Sequence, residues 1–191
     1  MKVVAFNGSP RRNGNTAAAV GTVFERLEKQ GIETEFIQLG GQVLSGCKAC
    51  GQCRINRNRC CAIKDDPIND YIKKMVAADG IIIASPVYYG NVTTEVKALI
   101  DRTGFVSNSN GMLLRHKVGA AVVSARRAGS NFTYAAINYF FGINEMIIPS
   151  SDSWNMTLSW KIGDYAHDME GIKTMQVLGD NMAWLLKKLA C

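Results

Sequence analysis

Apolar and polar positions along this chain repeat with two periods, one suited to strands and one to helices. Val3 to Phe6 is a short apolar run that stops at a glycine-containing turn, the pattern of a strand buried on both faces. After Asn15 and Thr16, either of which can cap a helix, Val20, Val23, Phe24 and Leu27 recur at i, i+3, i+4 and i+7, and Gly31 closes the segment. Thr34 to Leu39 alternates as a second strand. Asp66-Pro67 supplies a cap and a first-turn proline for a helix bearing Ile68, Ile72, Met75 and Val76. Gly80 to Ala84 predicts a third buried strand, Thr93 to Arg102 a helix with Val96, Leu99 and Ile100 on one face, and Lys117 to Ser124 a fourth strand. Asn131 to Phe141 reads as a helix, and Glu145 to Ile148 as a short fifth strand. Met175, Leu178, Met182, Leu185, Leu186 and Leu189 mark a terminal amphipathic helix.

Strand and helix therefore alternate five times. Parallel neighbours need crossovers and both faces of their sheet must be covered, so the predicted class is α/β, with helices on both faces. Its flavodoxin-like, doubly wound form is a five-stranded parallel sheet of order 2-1-3-4-5, which places a ligand at the carboxyl ends of strands one and three. The informative loops are then 7–16, 85–91 and 124–130. No linker, repeat or low-complexity tract divides the chain, so residues 1–191 are expected to form a single domain with a Cys-rich loop at 47–61.

Composition narrows the function. The 191 residues are 47% hydrophobic and 20% charged, which excludes a disordered or collagen-like chain. The longest apolar stretches fall far short of the ~20 residues that span a bilayer. The opening MKVVAFNGSPRRNGNT lacks the apolar core of a signal peptide, so a cytoplasmic location without membrane contact is expected. The net charge is +6, but the basic residues are dispersed apart from Arg54–Arg59 and Arg126–Arg127, and these runs lack interleaved aromatics. A small anionic ligand fits this distribution better than a nucleic acid. The two histidines, His116 and His167, are too few and too separated for a His-rich catalytic metal site.

Five of the six cysteines fall within fifteen residues, at Cys47, Cys50, Cys53, Cys60 and Cys61, and Cys191 ends the chain. In a reducing compartment such a run more often holds metal or does redox chemistry than forms disulfides. With Cys60 as the fourth member the spacing is C-x2-C-x2-C-x6-C. Three thiolates so spaced can wrap one face of an iron–sulfur cube while a fourth closes it. Zinc, and a loop of reduced thiols without metal, are the rival readings. Arg54, Arg57 and Arg59 would offset the negative charge of a tetrathiolate cluster.

The first loop, Asn7 to Thr16, lies between a strand and a helix, where backbone N–H groups and the helix dipole favour an anion. Ser9, Asn15 and Thr16 add short donors and Arg11 or Arg12 adds charge, so the loop suits a phosphate. There is neither a P-loop lysine nor a GxGxxG fingerprint.

GSPRRNGNT after the first strand and SPVYYGNVTTEVKALIDR after the third resemble the NAD(P)H-dependent FMN reductase group of flavodoxin-like proteins. The compact cysteine loop between them most resembles the iron–sulfur flavoproteins of anaerobic microbes, and the likeness covers nearly the whole chain. The resemblance implies that Ser9, Arg11, Asn13, Asn15 and Thr16 bind the FMN phosphate. It also implies that Pro86, Val87, Tyr88, Tyr89, Gly90 and Asn91 line the ribityl chain and isoalloxazine, and that Ser124, Arg126, Arg127 and Gly129 lie along the other side. The implied metal ligands are Cys47, Cys50, Cys53 and Cys60 of a [4Fe–4S] cluster. Cys61 and Cys191 are expected to be dispensable, although Cys61 can compete with its neighbour. No residue is assigned a catalytic role, because the chemistry would reside in the cofactors.

The leading expectation is thus an FMN-dependent redox flavoprotein that passes electrons between FMN and the cluster. The alternative is a cluster-free reductase moving hydride from NAD(P)H through FMN to quinones or other small acceptors. A redox-sensing or zinc-stabilised binding module is a third possibility. The expected partners are a small redox substrate or electron-carrier protein, NAD(P)H as a donor, and further copies of the chain in a homodimer or homotetramer.

Overall fold

The computed structural model describes residues 1–190, so Cys191 lies outside the described residues. Among these, β1 (Lys2–Asn7), β2 (Glu33–Gln38), β3 (Gly80–Pro86), β4 (Val118–Ala125) and β5 (Met156–Leu158) form one parallel sheet. The spatial order is β2-β1-β3-β4-β5, the doubly wound order expected. The three central strands carry near-continuous apolar runs because helices bury both of their faces.

Side chains alternate between two cores, as the period of two requires. Val4, Phe6, Ile81, Ile83, Ala121 and Val123 point to one face. That face is covered by α3 (Ile68–Ala77), α4 (Thr94–Ser109) and α5 (Ser130–Ile143). Val3, Ala5, Ile82, Ala84, Ala120 and Val122 point to the other. There they meet Val20, Val23, Phe24 and Leu27 of α1 (Asn15–Lys29), and Met175, Leu178, Met182 and Leu186 of α6 (Met169–Leu189). Among the described residues no helix is long and apolar enough to cross a membrane.

The fifth strand is a correction. Glu145 to Ile148 makes only a single parallel bridge, Val118 to Ile147, and the regular edge strand lies at Met156–Leu158, in register with Val123 to Ala125. Pro149 follows the apolar run and brings no N–H for a ladder, so the chain leaves the edge and rejoins it farther along β4.

Two helices also differ. α2 (Gln52–Asn56) is a short helix inside the Cys-bearing loop, set between left-handed residues Gly51 and Arg57. α4 continues beyond Arg102 to Ser109, past Thr103 and Ser107, polar residues that the helix buries. At the start of α1 the cap is Gly14, which has no side chain to bond the first turn, and not Asn15 or Thr16. Asp66 does act at the start of α3, where its Oδ1 accepts the Ile68 N–H at 3.2 Å.

Candidate functional site

The loop between β1 and α1 is held from below by amides. Asn7 Oδ1 accepts the Ser9 N–H at 3.2 Å, and Asn7 Nδ2 donates to Gln38 Oε1 at 2.9 Å. Gln38 Nε2 in turn donates to the carbonyls of Ser9 at 2.7 Å and Gly40 at 2.8 Å. Thr93 Oγ1, just before α4, donates to the Gly8 carbonyl at 3.0 Å. Gly40 must be glycine for this packing, because a Cβ there would stand 2.3 Å from the Ser9 carbonyl carbon.

With Gly14 as the cap, the N–H groups of Asn15, Thr16 and Ala17 open the first turn of α1 without intrahelical acceptors. The Thr16 side chain is buried, and its hydroxyl has no protein partner among the described residues. Ser9 Oγ accepts the Arg11 N–H at 3.2 Å and keeps its own hydrogen free. These are the donors a phosphate needs.

Ser9, Arg11, Asn15 and Thr16 line a cleft of about 180 Å³ together with Pro86, Val87, Tyr88, Ser124 and Arg126. The expected loops therefore converge. Asn15 contributes differently from expectation, because its side-chain amide is occupied: Nδ2 donates to the Lys161 carbonyl at 2.8 Å, and Oδ1 accepts the N–H groups of Gly163 at 3.0 Å and Tyr165 at 3.3 Å. Its side chain ties down the segment after β5 and leaves its backbone N–H for an anion.

Asn13, Tyr89, Gly90, Asn91, Arg127 and Gly129 do not line the cleft. Tyr89 and Gly90 are the two left-handed centres of a tight turn closed by reciprocal hydrogen bonds between Tyr88 and Asn91, at 2.9 and 3.0 Å, and the Tyr89 ring projects into solvent. Asn91 Oδ1 accepts the Val92 N–H at 2.8 Å, so that carboxamide serves the turn. Gly129 packs against Val87 and Gly90 and joins the two loops.

Two further lining residues, Ser159 and Trp160, belong to the motif-free stretch from Trp154 to Trp160, whose sequence leaves substrate wall and oligomer contact equally open. The Arg126 guanidinium carbon lies 3.9 Å from the centre of the Trp160 ring, and Arg11 Nη1 donates to the Trp160 carbonyl at 3.3 Å. Asp164 Oδ2 fixes this segment by accepting the N–H groups of Lys161 at 2.6 Å and Trp160 at 3.1 Å. Those two backbone donors hold its carboxyl below the usual aspartate range.

The cysteine loop builds a separate cavity of about 270 Å³ against α4, lined by Cys47, Cys50, Cys53 and Cys61. Cys60, the expected fourth ligand, is not among its lining residues. The five described cysteines are free thiols. Among the described residues no three His, Cys, Asp or Glu side chains form a group that could hold a metal ion. Arg54 and Lys48 add positive charge to the rim.

Arg102 is buried on α4 beneath this cavity, and its guanidinium pairs with the buried Asp66 carboxylate. Burial alone would raise the Asp66 pKa, but the hydrogen bonds from Arg102 and from the N–H groups of Ser45 and Ile68 outweigh it and hold the carboxyl below its ordinary value.

A larger groove of about 880 Å³ lies between α2, α4 and α5, with Arg54 and Arg57 on one wall and exposed Phe105, Tyr139 and Ile143 on the other. It offers an apolar face and no helix N-terminus suited to a phosphate, whereas the smaller cleft has one.

The family model of NADPH-dependent FMN reductases matches residues 1–161. The chain belongs to this family. As a member of the NADPH-dependent FMN reductase family it is an FMN-dependent oxidoreductase, and the resemblance carried by GSPRRNGNT and SPVYYGN holds. It is 37% identical over 194 residues to an iron–sulfur flavoprotein of Methanocaldococcus jannaschii, covering 98% of each chain. It is 34% identical over 177 residues to an iron–sulfur flavoprotein of Methanosarcina thermophila, covering 92% of this chain and 90% of the relative. The solved structure of a flavodoxin from the domain Archaea superposes with a TM-score of 0.63 at 16% identity, over 98% of this chain and 99% of that one, which shows the flavodoxin-like fold.

Proposed function

We propose that this FMN-dependent oxidoreductase carries a [4Fe–4S] cluster in its cysteine loop and passes electrons between the cluster and FMN. The observation that carries this reading is the cavity walled by four thiols on a chain that also has a phosphate-ready cleft. Three cysteines spaced C-x2-C-x2-C suit an iron–sulfur cluster better than structural zinc, which usually takes two separated C-x2-C pairs. The names of the relatives from two methanogenic genera agree with it.

The open first turn of α1, with Ser9, Thr16 and Arg11, would hold the FMN phosphate. Pro86, Val87 and Tyr88 would border the rest of the flavin, Arg126 and Trp160 closing the opposite side. Tyr89, Asn91, Arg127, Gly129 and Asn13 belong to the same loops and support it from outside the cleft. Cys47, Cys50 and Cys53 would supply three cluster ligands, and the adjacent pair Cys60 and Cys61 the fourth. Bound in these places, FMN would take up an electron pair and release it one electron at a time and the cluster would carry single electrons, so the protein would couple a two-electron donor such as NAD(P)H to a one-electron carrier or a small redox substrate.

Within one chain the two sites are far apart. Thr93 touches the phosphate loop, whereas Arg102 and Ser109 line the thiol cavity, and a helix rises ~1.5 Å per residue, which separates them by roughly 14 to 24 Å along α4. A shorter route would cross to a second copy of the chain in a homodimer or homotetramer, and the apolar face with Phe105, Tyr139 and Ile143 suits such an interface.

Anaerobic reconstitution of wild type and Cys50→Ser tests the reading. Wild type should hold stoichiometric iron and sulfide beside FMN, and the variant should keep FMN and lose the iron. FMN without iron, or with zinc, in wild type would leave the cluster-free NAD(P)H-dependent reductase.

A further inference from the structure

Cys60 and Cys61 are neighbours in sequence but occupy different environments. The Cys61 backbone is clamped by Asn69 of α3: its N–H donates to Asn69 Oδ1 at 2.7 Å, and its carbonyl accepts from Asn69 Nδ2 at 3.1 Å. Its sulfur lines the thiol cavity and accepts the Arg102 Nε–H at 3.3 Å. Cys60 lies off the cavity, on the side of Lys73 of α3. Its N–H is held by Asn58 Oδ1 at 3.2 Å, within a loop that turns left-handed at Arg57 and Arg59.

We propose that Cys61, and not Cys60, completes the set with Cys47, Cys50 and Cys53, and that buried Arg102 is the positioning residue that holds and tunes this fourth thiolate. The proposal rests on the cluster reading above.

Arg102 both ties the loop down and faces Cys61. Its side chain has no solvent exposure, and a buried guanidinium is costly unless its donors are satisfied. Nη1 donates to Asp66 and to the Ser45 carbonyl, the latter at 3.1 Å, and Nη2 donates to the Ile63 carbonyl at 3.0 Å. These bonds tie both ends of the cysteine loop to α4 and fix the plane of the guanidinium. The single Nε–H is thereby aimed at Cys61 Sγ. Asp66 neutralises the guanidinium only in part of its fork, leaving the Nε edge for the sulfur. Hydrogen bonds to ligand sulfurs raise the reduction potential of a cluster, which gives Arg102 an electronic effect beside its geometric one.

The test compares Cys60→Ser and Cys61→Ser after anaerobic reconstitution of the full chain, with FMN content as the measure of folding. The expected result is full iron and sulfide in Cys60→Ser and their loss in Cys61→Ser, both retaining FMN. Loss in Cys60→Ser, or full iron in Cys61→Ser, overturns the assignment of Cys61. Absence of iron from wild type would instead overturn the cluster reading itself.

For Arg102, anaerobic redox titration of Arg102→Gln should show a cluster potential more negative than that of wild type with the flavin potential unmoved. Arg102→Lys, which keeps the charge but loses the Nε–H, should shift in the same direction by less. If the glutamine variant fails to retain FMN, the lysine variant decides alone. An unchanged cluster potential in the folded variants overturns the role of Arg102.

Discussion

The Arg126 guanidinium sits over the face of Trp160, 3.9 Å from the ring centre, and joins the loop after β4 to the segment after β5 at the cleft beside the start of α1. Arg127, next in sequence, does not line the cleft. The pair answers a question the sequence leaves open, namely which of the two arginines faces inward.

Reduced FMN carries negative charge on its ring, and a cation near it favours that state. Arg126→Ala should therefore lower the flavin potential by about 30 mV, the equivalent of a tenfold change in the two-electron equilibrium. Arg127→Ala should leave it unchanged. Anaerobic titration against redox dyes distinguishes them, and equal potentials in wild type and Arg126→Ala would place that arginine away from the flavin.

Thr16 is a buried residue at the first turn of α1, and its hydroxyl has no protein partner among the described residues. A hydrogen bond to a charged group contributes about 1.5–3 kcal/mol, so Thr16→Ala should weaken FMN binding by roughly ten- to a hundred-fold. Adding Ser9→Ala should weaken it further. Calorimetric titration of the apoprotein with FMN measures both, and unchanged affinity in the double variant would move the phosphate elsewhere.

Much of this site was legible before the structure. β1, β3 and β4 stand out because burial on both faces demands continuous apolar runs, and the loops that follow them are then fixed by topology. Trp160 was not legible, since its partners Arg11 and Arg126 are remote in sequence and meet it only through the fold. Met156–Leu158 is too short for any period to show, whereas Met146, Ile147 and Ile148 look more like a strand than they are. Asn15 shows the finer limit: its place in the phosphate loop follows from the motif, but its bonds to Lys161, Gly163 and Tyr165 depend on a segment 146 to 150 residues away. Likewise, spacing admits both Cys60 and Cys61, and the cavity lining, Asn69 and Arg102 separate them.

The Asp66–Arg102 pair predicts a pH dependence. In the folded protein the Asp66 carboxyl lies below its ordinary 3.8, despite burial that opposes this, because of the hydrogen bonds from Arg102 and two backbone N–H groups. A lowered folded value means stability that is present above the unfolded pKa and is lost as pH falls through the folded one. The effect should thus be complete near neutrality and fade below about pH 4. Asp66→Asn should destabilise the chain by about 3–5 kcal/mol near neutrality, as expected for one half of a buried pair, and should lack that part of the acid transition. Denaturant unfolding of both proteins from pH 3 to 7 checks it.

Exposed Tyr139 and Ile143 on α5 face the groove beside α2 and α4. If copies of the chain meet there, Ile143→Glu should shift the loaded protein toward monomers and slow electron exchange between FMN and cluster without removing either. Sedimentation velocity with cofactor analysis reads both properties. A wild-type protein that is monomeric and fully loaded at micromolar concentration would remove this interface.

The central claim is that one chain holds two redox groups that share electrons. Stepwise anaerobic reduction of the fully loaded wild type, followed at the flavin and cluster absorption bands beside Cys50→Ser, tests it most directly. The account predicts that wild type takes up one more electron per chain than the variant and that both bands bleach within a single titration. Equal uptake by the two proteins, with only flavin bands bleaching, would contradict it.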